Sequence, residues 1–316
     1  MFRTDRRVSA STFVVPTKIS ISVVIPTYER EKVLLDTIEY LLHLDPAPGE
    51  ILIVDQTLKH KPATLQLLER HEREKRIRWI RLRKPSITQA MNVGLEQAMS
   101  DVILFLDDDI IPHANLIAAH LSAHADGHNI VAGQVLQPGE KALSQSENSR
   151  AFRFASSKKQ FITELMGGNF SIKRLLALGL GGFDENFVHV AYRFEAEFAQ
   201  RALAAREQIF FEPDATIRHL KAERGGTRSY GRHLTTIRPS HSVGAYYFLL
   251  RSTNVSRRLL NMLSRPWNAV RTRHHLMHPW WIPATLASEA MGFAWAVFLY
   301  LRGPRLLNST LAVDHD

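Results

Sequence analysis

The sequence predicts an α/β protein with a mostly parallel central sheet and a helical C-terminal segment. Short apolar runs rich in β-branched residues alternate with helical patterns from Ile21 onward. These runs are apolar almost throughout, which is typical of parallel strands covered by helices on both faces. A chain of 316 residues with 45% hydrophobic residues is long and apolar enough to bury a large core. Together these observations indicate a globular α/β protein of one sizeable domain with an appendage.

The elements follow in order along the chain. Strands are predicted at residues 21–26, 50–55, 77–82 and 102–107. Apolar residues at helical spacing predict helices at 31–44, 63–75, 87–99, 113–125 and 194–205. The stretch QIFFEPDATIRHL, residues 208–220, predicts a strand, a turn and a second strand.

Polar residues follow three of the predicted strands at the point where each strand ends. The first strand leads into PTYER, the second into DQT and the fourth into DDD. In open α/β sheets ligands bind beyond the carboxyl ends of the strands, where loops and helix N-termini converge. The sequence therefore predicts a ligand site along this edge of the sheet.

Asp107, Asp108 and Asp109 form the most informative of these groups. A helix cap would use a single carboxylate, whereas three consecutive like charges favour a hard cation with oxygen ligands. Mg²⁺ or Mn²⁺ shared with substrate phosphates is the expected ion. Asp55, directly after the second strand, is suited either to a turn or to hydrogen bonding a base or ribose.

Seven motifs occur in the order and approximate spacing of the family 2 glycosyltransferases of the GT-A fold. They are SVVIPTYER, EILIVDQT, QAMNVGLEQA, ILFLDDD, MGGNFSIKR, GGFDE and FEAEFAQRA. The chain resembles this family over about residues 20 to 230. The resemblance implies a Rossmann-like nucleotide-binding domain and an inverting, nucleotide-sugar-dependent transferase.

The resemblance also implies roles for individual residues. Pro26, Thr27, Tyr28 and Glu29 would line the nucleotide pocket, Asp55 would bind the base, and Asn92 and Gly94 would lie in a loop closing over the nucleotide. Asp107 and Asp108 would lie near the ribose and diphosphate, Asp109 and His219 would bind the metal, and Gly167, Gly168 and Asn169 would border the donor sugar and acceptor. Glu195 would be the catalytic base, Glu197 the second acidic residue beside the sugars, and Arg224 and Arg228 a clamp for the diphosphate.

Three positions depart from the family pattern. Glu195 stands where the family usually has Asp, Met91 where it commonly has Arg, and Gln56 where it has a second Asp or Asn. The donor nucleotide therefore stays open among UDP, GDP and dTDP. Two alternatives also stay open: a non-catalytic nucleotide-binding membrane scaffold, and a nucleotidyltransferase.

The C-terminal third carries the positive charge of the chain. Between residues 220 and 305 there are thirteen arginines and lysines against two acids. Such a block favours an anionic membrane surface, because no signature of a nucleic-acid fold accompanies it. The apolar stretch from Trp280 to Leu301 has a polar stripe, which favours a helix lying in the membrane interface over a packed helix or a true span.

The expected organisation is a basic N-terminal arm at 1–19, a GT-A domain at 20–230 and a membrane-associated extension at 231–316. The chain has no cysteine and its first residues do not resemble a signal peptide, so we expect a cytoplasmic protein on the inner face of the plasma membrane. The expected partners are a nucleotide sugar, a glycan or lipid-linked acceptor and an anionic membrane surface, but no nucleic acid. The expected pathway is the synthesis of cell-surface polysaccharide or glycolipid.

Overall fold

A computed structural model describes residues 19–144, 152–231, 233–252 and 255–307. Residues 1–18 of the predicted N-terminal arm and the last nine residues of the predicted extension lie outside this range. The strands are β1 (Ile21–Thr27), β2 (Glu50–Asp55), β3 (Arg78–Arg81), β4 (Val102–Leu106), β5 (Ile110–Pro112), β6 (Ile130–Leu136), β7 (Gln160–Ile162), β8 (Asn169–Lys173) and β9 (Ile209–His219). The helices are α1 (Lys32–Leu42), α2 (Pro62–Arg73), α3 (Ile87–Gln97), α4 (Leu116–Ala125), α5 (Arg174–Gly179), α6 (Phe194–Ala204), α7 (Ser242–Arg251), α8 (Val255–Val270), α9 (Arg273–Met277) and α10 (Ile282–Arg302).

These strands form a single sheet in the order β3-β2-β1-β4-β8-β6-β9-β5, with β7 paired to β9. The four predicted strands β1 to β4 are parallel to one another, as their continuous apolar sequences indicate. β8 enters antiparallel between β4 and β6. The carboxyl ends of β1, β2 and β4 therefore open on one edge, which confirms the predicted convergence of their polar loops.

Strand β9 corrects one prediction. Residues 209–219 form one continuous strand, not two strands separated by a turn. The register against β6 jumps from Gly133–Glu212 to Gln134–Thr216, so residues 213–215 bulge out of the pairing. The bulge absorbs Pro213, which has no N–H to donate to the ladder.

Buried residues form one apolar cluster on each face of the sheet. Helices α1, α2 and α4 cover one face, whereas α3, α5 and α6 cover the other. Helices α7 and α10 join the second cluster through Val243, Tyr246, Tyr247 and Leu299. Helices α7 and α10 therefore pack onto the same core as the parallel half of the sheet.

Helix α10 turns its polar stripe inward. Thr285, Ser288, Glu289 and Gly292 are buried, and the Ser288 carbonyl accepts a hydrogen bond of 2.8 Å from Ser242 Oγ on α7. Several apolar side chains of the helix point outward, and Phe298 and Leu301 are 55% and 78% exposed, whereas Ala296 and Leu299 are buried. Residues 279–302 form one helical stretch that is long and apolar enough to cross a membrane.

Candidate active site

The polar loops at the sheet edge enclose a cavity of about 510 Å³. β1 and β2 supply one wall, the loop after β4 supplies the floor, and the first turn of α6 faces them. The segment after β9 closes the remaining side. The predicted site residues that line this cavity are Pro26, Thr27, Tyr28, Asp107, Asp108, Asp109, Glu195, His219 and Arg228.

Three side chains at the floor of the cavity could hold a metal ion. Ligand atoms of Asp107, Asp109 and His219 all lie within 4.8 Å of one another. His219 Nε2 lies 3.1 Å from Asp109 Oδ1 and 3.7 Å from Asp107 Oδ2. Two carboxylates and an imidazole form a donor set that suits Mn²⁺ and accepts Mg²⁺. Asp107 is the more accessible carboxylate, with 38% of its side chain exposed against 2% for Asp109.

The electrostatics of this cluster favour an ionised Asp109. Burial alone would raise the pKa of Asp109, but the His219 hydrogen bond, the Arg30 charge and the Ala222 N–H together hold that pKa below its usual value. Burial would likewise lower the pKa of His219, yet its bond to Asp109 and the two nearby aspartates raise it. The part of Asp107 that is buried raises its pKa despite the exposure of the rest, and the charge of Asp109 adds to that rise.

Asp108 occupies a different position from its neighbours. Its Oδ2 accepts a hydrogen bond of 2.7 Å from Thr27 Oγ1, and its Oδ1 accepts one of 3.0 Å from Arg30 Nε. Burial raises the pKa of Asp108 to about 7, against the opposing charge of Arg30. Asp107, which was expected beside Asp108 near the ribose, instead groups with Asp109 because it reaches His219.

Glu195 lies in the first turn of α6 and faces the cavity. Its carboxylate accepts backbone hydrogen bonds from Gly167 and from its own N–H. Burial raises its pKa to about 7, and the charge of Asp107 contributes in the same direction. A carboxyl group with such a pKa can accept a proton near neutral pH.

Gly167 and Gly168 border the carboxylates closely. A Cβ at Gly167 would lie 3.1 Å from Glu195 Oε1, and one at Gly168 would overlap Asp107 Oδ2. The absence of a side chain at both glycines is therefore what allows this loop to pass between the carboxylates of Glu195 and Asp107.

Asp55 does not line the cavity. It is fully buried, and its carboxylate accepts hydrogen bonds from Thr57 N, His60 Nε2 and Trp79 Nε1 at 2.8, 2.6 and 3.0 Å. The next residue, Gln56, lines the cavity instead. Three protein donors hold the Asp55 carboxylate away from the cavity, so its binding of a base stays a prediction.

Asn92 and Gly94 are also corrected. Both are buried inside α3, not in a loop. The Asn92 amide donates to Phe183 O at 2.9 Å and accepts from Phe183 N at 2.7 Å, and a Cβ on Gly94 would overlap Val24. These residues dock α3 onto the sheet and onto the GGFDE turn.

Asn169 and Glu197, which were expected beside the sugars, do not line the cavity. Asn169 is fully buried and donates to Gln134 O and Ala215 O at 3.0 and 2.8 Å. Glu197 is 3% exposed and pairs with Arg201 at 2.9 Å and with Arg251 at 3.2 Å. Both hold strands or helices together, because the alternation of β8 and the turn of α6 direct them into the protein.

Glu29 and Arg224 lie beside the cavity without lining it. Glu29 has a φ of 52° and accepts a hydrogen bond of 2.5 Å from Ser229 Oγ. Arg224 contributes its carbonyl, which accepts a hydrogen bond from Arg30. They tether the segment after β9 to the loop after β1, whereas the side chain of Arg228 reaches the cavity.

Sequence reasoning missed several cavity residues. They are Arg30, Gln56, Ser86, His189, Arg193 and Tyr230. Arg30 is the last residue of the PTYER motif, which was expected to meet the DDD motif at the sheet edge. A cation opposite three aspartates was the signal that could have identified it. His189, Arg193 and Tyr230 carried no such signal because folding alone brings their segments to the cavity.

The glycosyl transferase family 2 model matches residues 22–196, more than half of the chain. The chain belongs to glycosyl transferase family 2. It is therefore a glycosyltransferase with the GT-A fold, as the motifs indicated. No curated protein matches this family 2 chain by sequence.

Solved structures of the GT-A fold resemble this glycosyltransferase. GalNAc-T7 with UDP, GalNAc and Mn²⁺ superposes with a TM-score of 0.63 at 13% identity, covering 92% of this chain and 59% of that one. The mannosyltransferase PcManGT from Pyrobaculum calidifontis, with GDP-Man and Mn²⁺, gives 0.54 at 18% identity and covers 91% and 80%. S. aureus TarS 1–349 with UDP-GlcNAc gives 0.56 at 17% identity and covers 90% and 92%. The chain thus spans 59% of the GalNAc-T7 chain.

Proposed function

We propose that this glycosyltransferase transfers a sugar from a UDP-, GDP- or dTDP-linked donor to a hydroxyl acceptor with inversion of configuration. The observation that carries the proposal is Glu195, a carboxyl group with a pKa of about 7 that faces the cavity beside Asp107. A single displacement needs one general base near the acceptor and support for the leaving diphosphate opposite it. Glu195 meets the first requirement.

The proposed reaction begins with the donor along the sheet edge. Thr27, Tyr28 and Gln56 lie at the end of β1 and β2, where the nucleoside would bind. Arg228 lines the cavity and would contact a diphosphate through its guanidinium. Glu195 takes the proton of the acceptor hydroxyl as the oxygen attacks the anomeric carbon, and the bond from that carbon to the diphosphate oxygen breaks.

Asp107, Asp109 and His219 are the residues that would hold the divalent cation. Their donor set fits Mn²⁺ or Mg²⁺, and the similar structures of GalNAc-T7 and PcManGT are complexes with Mn²⁺. When bound there, such an ion supplies positive charge that stabilises a leaving diphosphate.

The proposed acceptor is a glycan or a lipid-linked acceptor, and the proposed pathway is the synthesis of cell-surface polysaccharide or glycolipid. The proposed location is the inner face of the plasma membrane. Two features support this location: the basic C-terminal third and the outward apolar face of α10.

Turnover of nucleotide sugars tests the proposed function. With Mn²⁺ or Mg²⁺, the full chain should release the nucleoside diphosphate slowly from one donor, and Asp109→Asn should reduce the rate by at least a hundredfold. EDTA should have the same effect. Asp126→Asn, an exposed aspartate at the end of α4, is the matched control and should retain the wild-type rate.

NMR of the product then tests the stereochemistry. The anomeric configuration should be opposite to that of the donor, and mass spectrometry should find no glycosylated protein during turnover. Retention of configuration would reject the single displacement.

A further inference from the structure

A second cavity of about 570 Å³ lies between α7, α8 and α10. It begins where the first cavity ends, because Tyr192 and Arg193 line both. Arg193 immediately precedes α6 and stands two residues before Glu195. A ligand in the second cavity would therefore extend past Arg193 toward the proposed base.

The second cavity is cationic. Arg193, Arg238 and Arg265 line it, whereas burial lowers the pKa of His241, so that this histidine adds no charge near neutral pH. Glu289 is the only acid among its described lining residues, and it already pairs with Arg265 at 2.9 Å. No ion pair joins Arg193 or Arg238 to a carboxylate within the part of the chain that the structure describes. Their guanidinium groups are therefore available to an anionic ligand.

The helices around this cavity have their polar faces turned inward. Asn261, Ser264, Arg265 and Asn268 of α8 line it, whereas Leu260, Leu263 and Trp267 on the opposite face are 68%, 79% and 62% exposed. Helix α10 repeats the arrangement, with Ser288 and Glu289 inside and Phe298 outside. A soluble helix buries its apolar face, so this inversion indicates an apolar surrounding for the outer faces.

The segment that joins the two cavities is held under backbone strain. His189, Ala191 and Arg193 have φ values of 57°, 52° and 75°, which non-glycine residues adopt rarely. Helix α7 holds the segment through Gly244, where a Cβ would lie 2.7 Å from Tyr192 O. Such strain persists only where the surrounding structure enforces it, and it concentrates at ligand sites.

We infer that the second cavity is the acceptor site and that it binds the phosphate or diphosphate group of a lipid-linked sugar, one of whose hydroxyls is glycosylated. This inference rests on the proposed function, since it assigns that function's acceptor. Arg193 and Arg238 bind the anionic group, the apolar outer faces of α8 and α10 accompany the tail, and the hydroxyl to be glycosylated reaches Glu195 past Tyr192.

Binding of geranyl diphosphate to the full chain tests the inference. Isothermal titration calorimetry in EDTA keeps the diphosphate away from a metal in the first cavity. We expect saturable binding of geranyl diphosphate and none of geraniol. Arg238→Gln should raise the Kd at least about tenfold, because a charge-assisted hydrogen bond is lost.

Two further variants keep this test decisive. Arg73→Gln, on α2 and away from both cavities, removes the same charge and should change the Kd less than about twofold, within the usual range for a surface charge. Arg193→Asn should weaken binding as Arg238→Gln does, and asparagine tolerates the positive φ at this position. Unchanged binding in both Arg193→Asn and Arg238→Gln would reject the site.

Competition distinguishes the sources of the anion. Equal affinity for inorganic pyrophosphate and geranyl diphosphate would overturn the lipid-linked acceptor, because the tail would contribute nothing. Displacement of geranyl diphosphate by UDP or GDP would place the probe in the first cavity and also overturn the inference. This binding needs no turnover, so its failure alongside intact donor hydrolysis would reject the acceptor site alone.

Discussion

Arg30 explains how three consecutive aspartates coexist in a folded protein. Its guanidinium pairs with Asp108 at 3.0 Å and with Asp109 at 3.5 Å while it is 8% exposed. The three carboxylates also separate by role, because Asp108 faces Thr27 whereas Asp107 and Asp109 face His219. The repulsion between the three carboxylates is thus reduced in two ways. Arg30 neutralises charge at Asp108, and Asp107 and Asp109 belong to the candidate cation site.

Glu195 makes the rate of transfer depend on pH. Its pKa of about 7 means that the ionised base is lost as the pH falls through 7. The rate at saturating donor should therefore rise about tenfold per pH unit below 7 and level off above it. Above pH 7, Glu195→Gln should lower the rate by at least about a hundredfold, and this difference should narrow as the pH falls below 7 and the wild-type base becomes protonated. Glu96→Gln, an exposed residue of α3, is the matched control.

Glu195 lowers the stability of the folded protein as the pH rises, although the same rise in pH increases the rate of transfer. Its pKa lies above that of the unfolded chain, so the folded state binds more protons between pH 4.5 and 7 and loses stability as the pH rises through that window. Without metal at pH 8, the free energy of unfolding of Glu195→Gln, measured by urea titration, should therefore exceed that of the wild type by on the order of 1–3 kcal/mol. The two proteins should converge near pH 4.5, and the same difference at both pH values would contradict a raised pKa for Glu195.

The strands could be predicted from the sequence more reliably than the direction in which helical side chains point. β1, β2 and β4 were predictable because each is a run of buried apolar residues that ends in a polar motif. Asn92 and Glu197 were misassigned, because a motif position does not reveal which way a helix turns its side chains. α3 directs Asn92 to Phe183, and α6 directs Glu197 to Arg201 and Arg251.

Helix α7 provides a test at the scale of one element. Gly244→Ala adds a Cβ 2.7 Å from the backbone oxygen of Tyr192. Alanine favours a helix by about 1 kcal/mol, but the clash should outweigh this and lower the free energy of unfolding by about 1–3 kcal/mol. Displacement of the 189–193 segment should also lower the rate of transfer, because Arg193 leads directly into the turn that holds Glu195.

Gly179→Ala is the matched control for this substitution. Gly179 ends α5, and a Cβ there meets no atom within 4 Å. The midpoint of urea unfolding should therefore stay unchanged or rise. An equal loss of stability in both variants would show that the contact between α7 and Tyr192 is unimportant.

At the scale of the whole molecule, the sequence predicted the nucleotide-binding half better than the C-terminal half. The motifs are local in sequence and lie on strand ends, so the topology of the sheet brings them together. The polar stripe of α10 was visible in the sequence, but its direction was not. The structure buries that stripe against α7 and α8, because Ser242, Arg238 and Arg265 offer it hydrogen bonds and an ion pair.

The outward apolar surface of α8 and α10 leads to the last prediction, which concerns membrane binding. Full-length protein should float with vesicles that contain phosphatidylglycerol, and less with vesicles of phosphatidylcholine alone, because the basic C-terminal third adds attraction to anionic lipid.

Trp267→Glu removes an apolar side chain that is 62% exposed and should reduce the bound fraction at least about tenfold. Leu58→Glu, at an 82% exposed site in the loop after β2, is the matched control and should float as the wild type does. High salt should weaken binding without abolishing it, since salt screens charge but does not weaken apolar burial. Equal flotation of Trp267→Glu and the wild type would show that this surface faces something other than lipid.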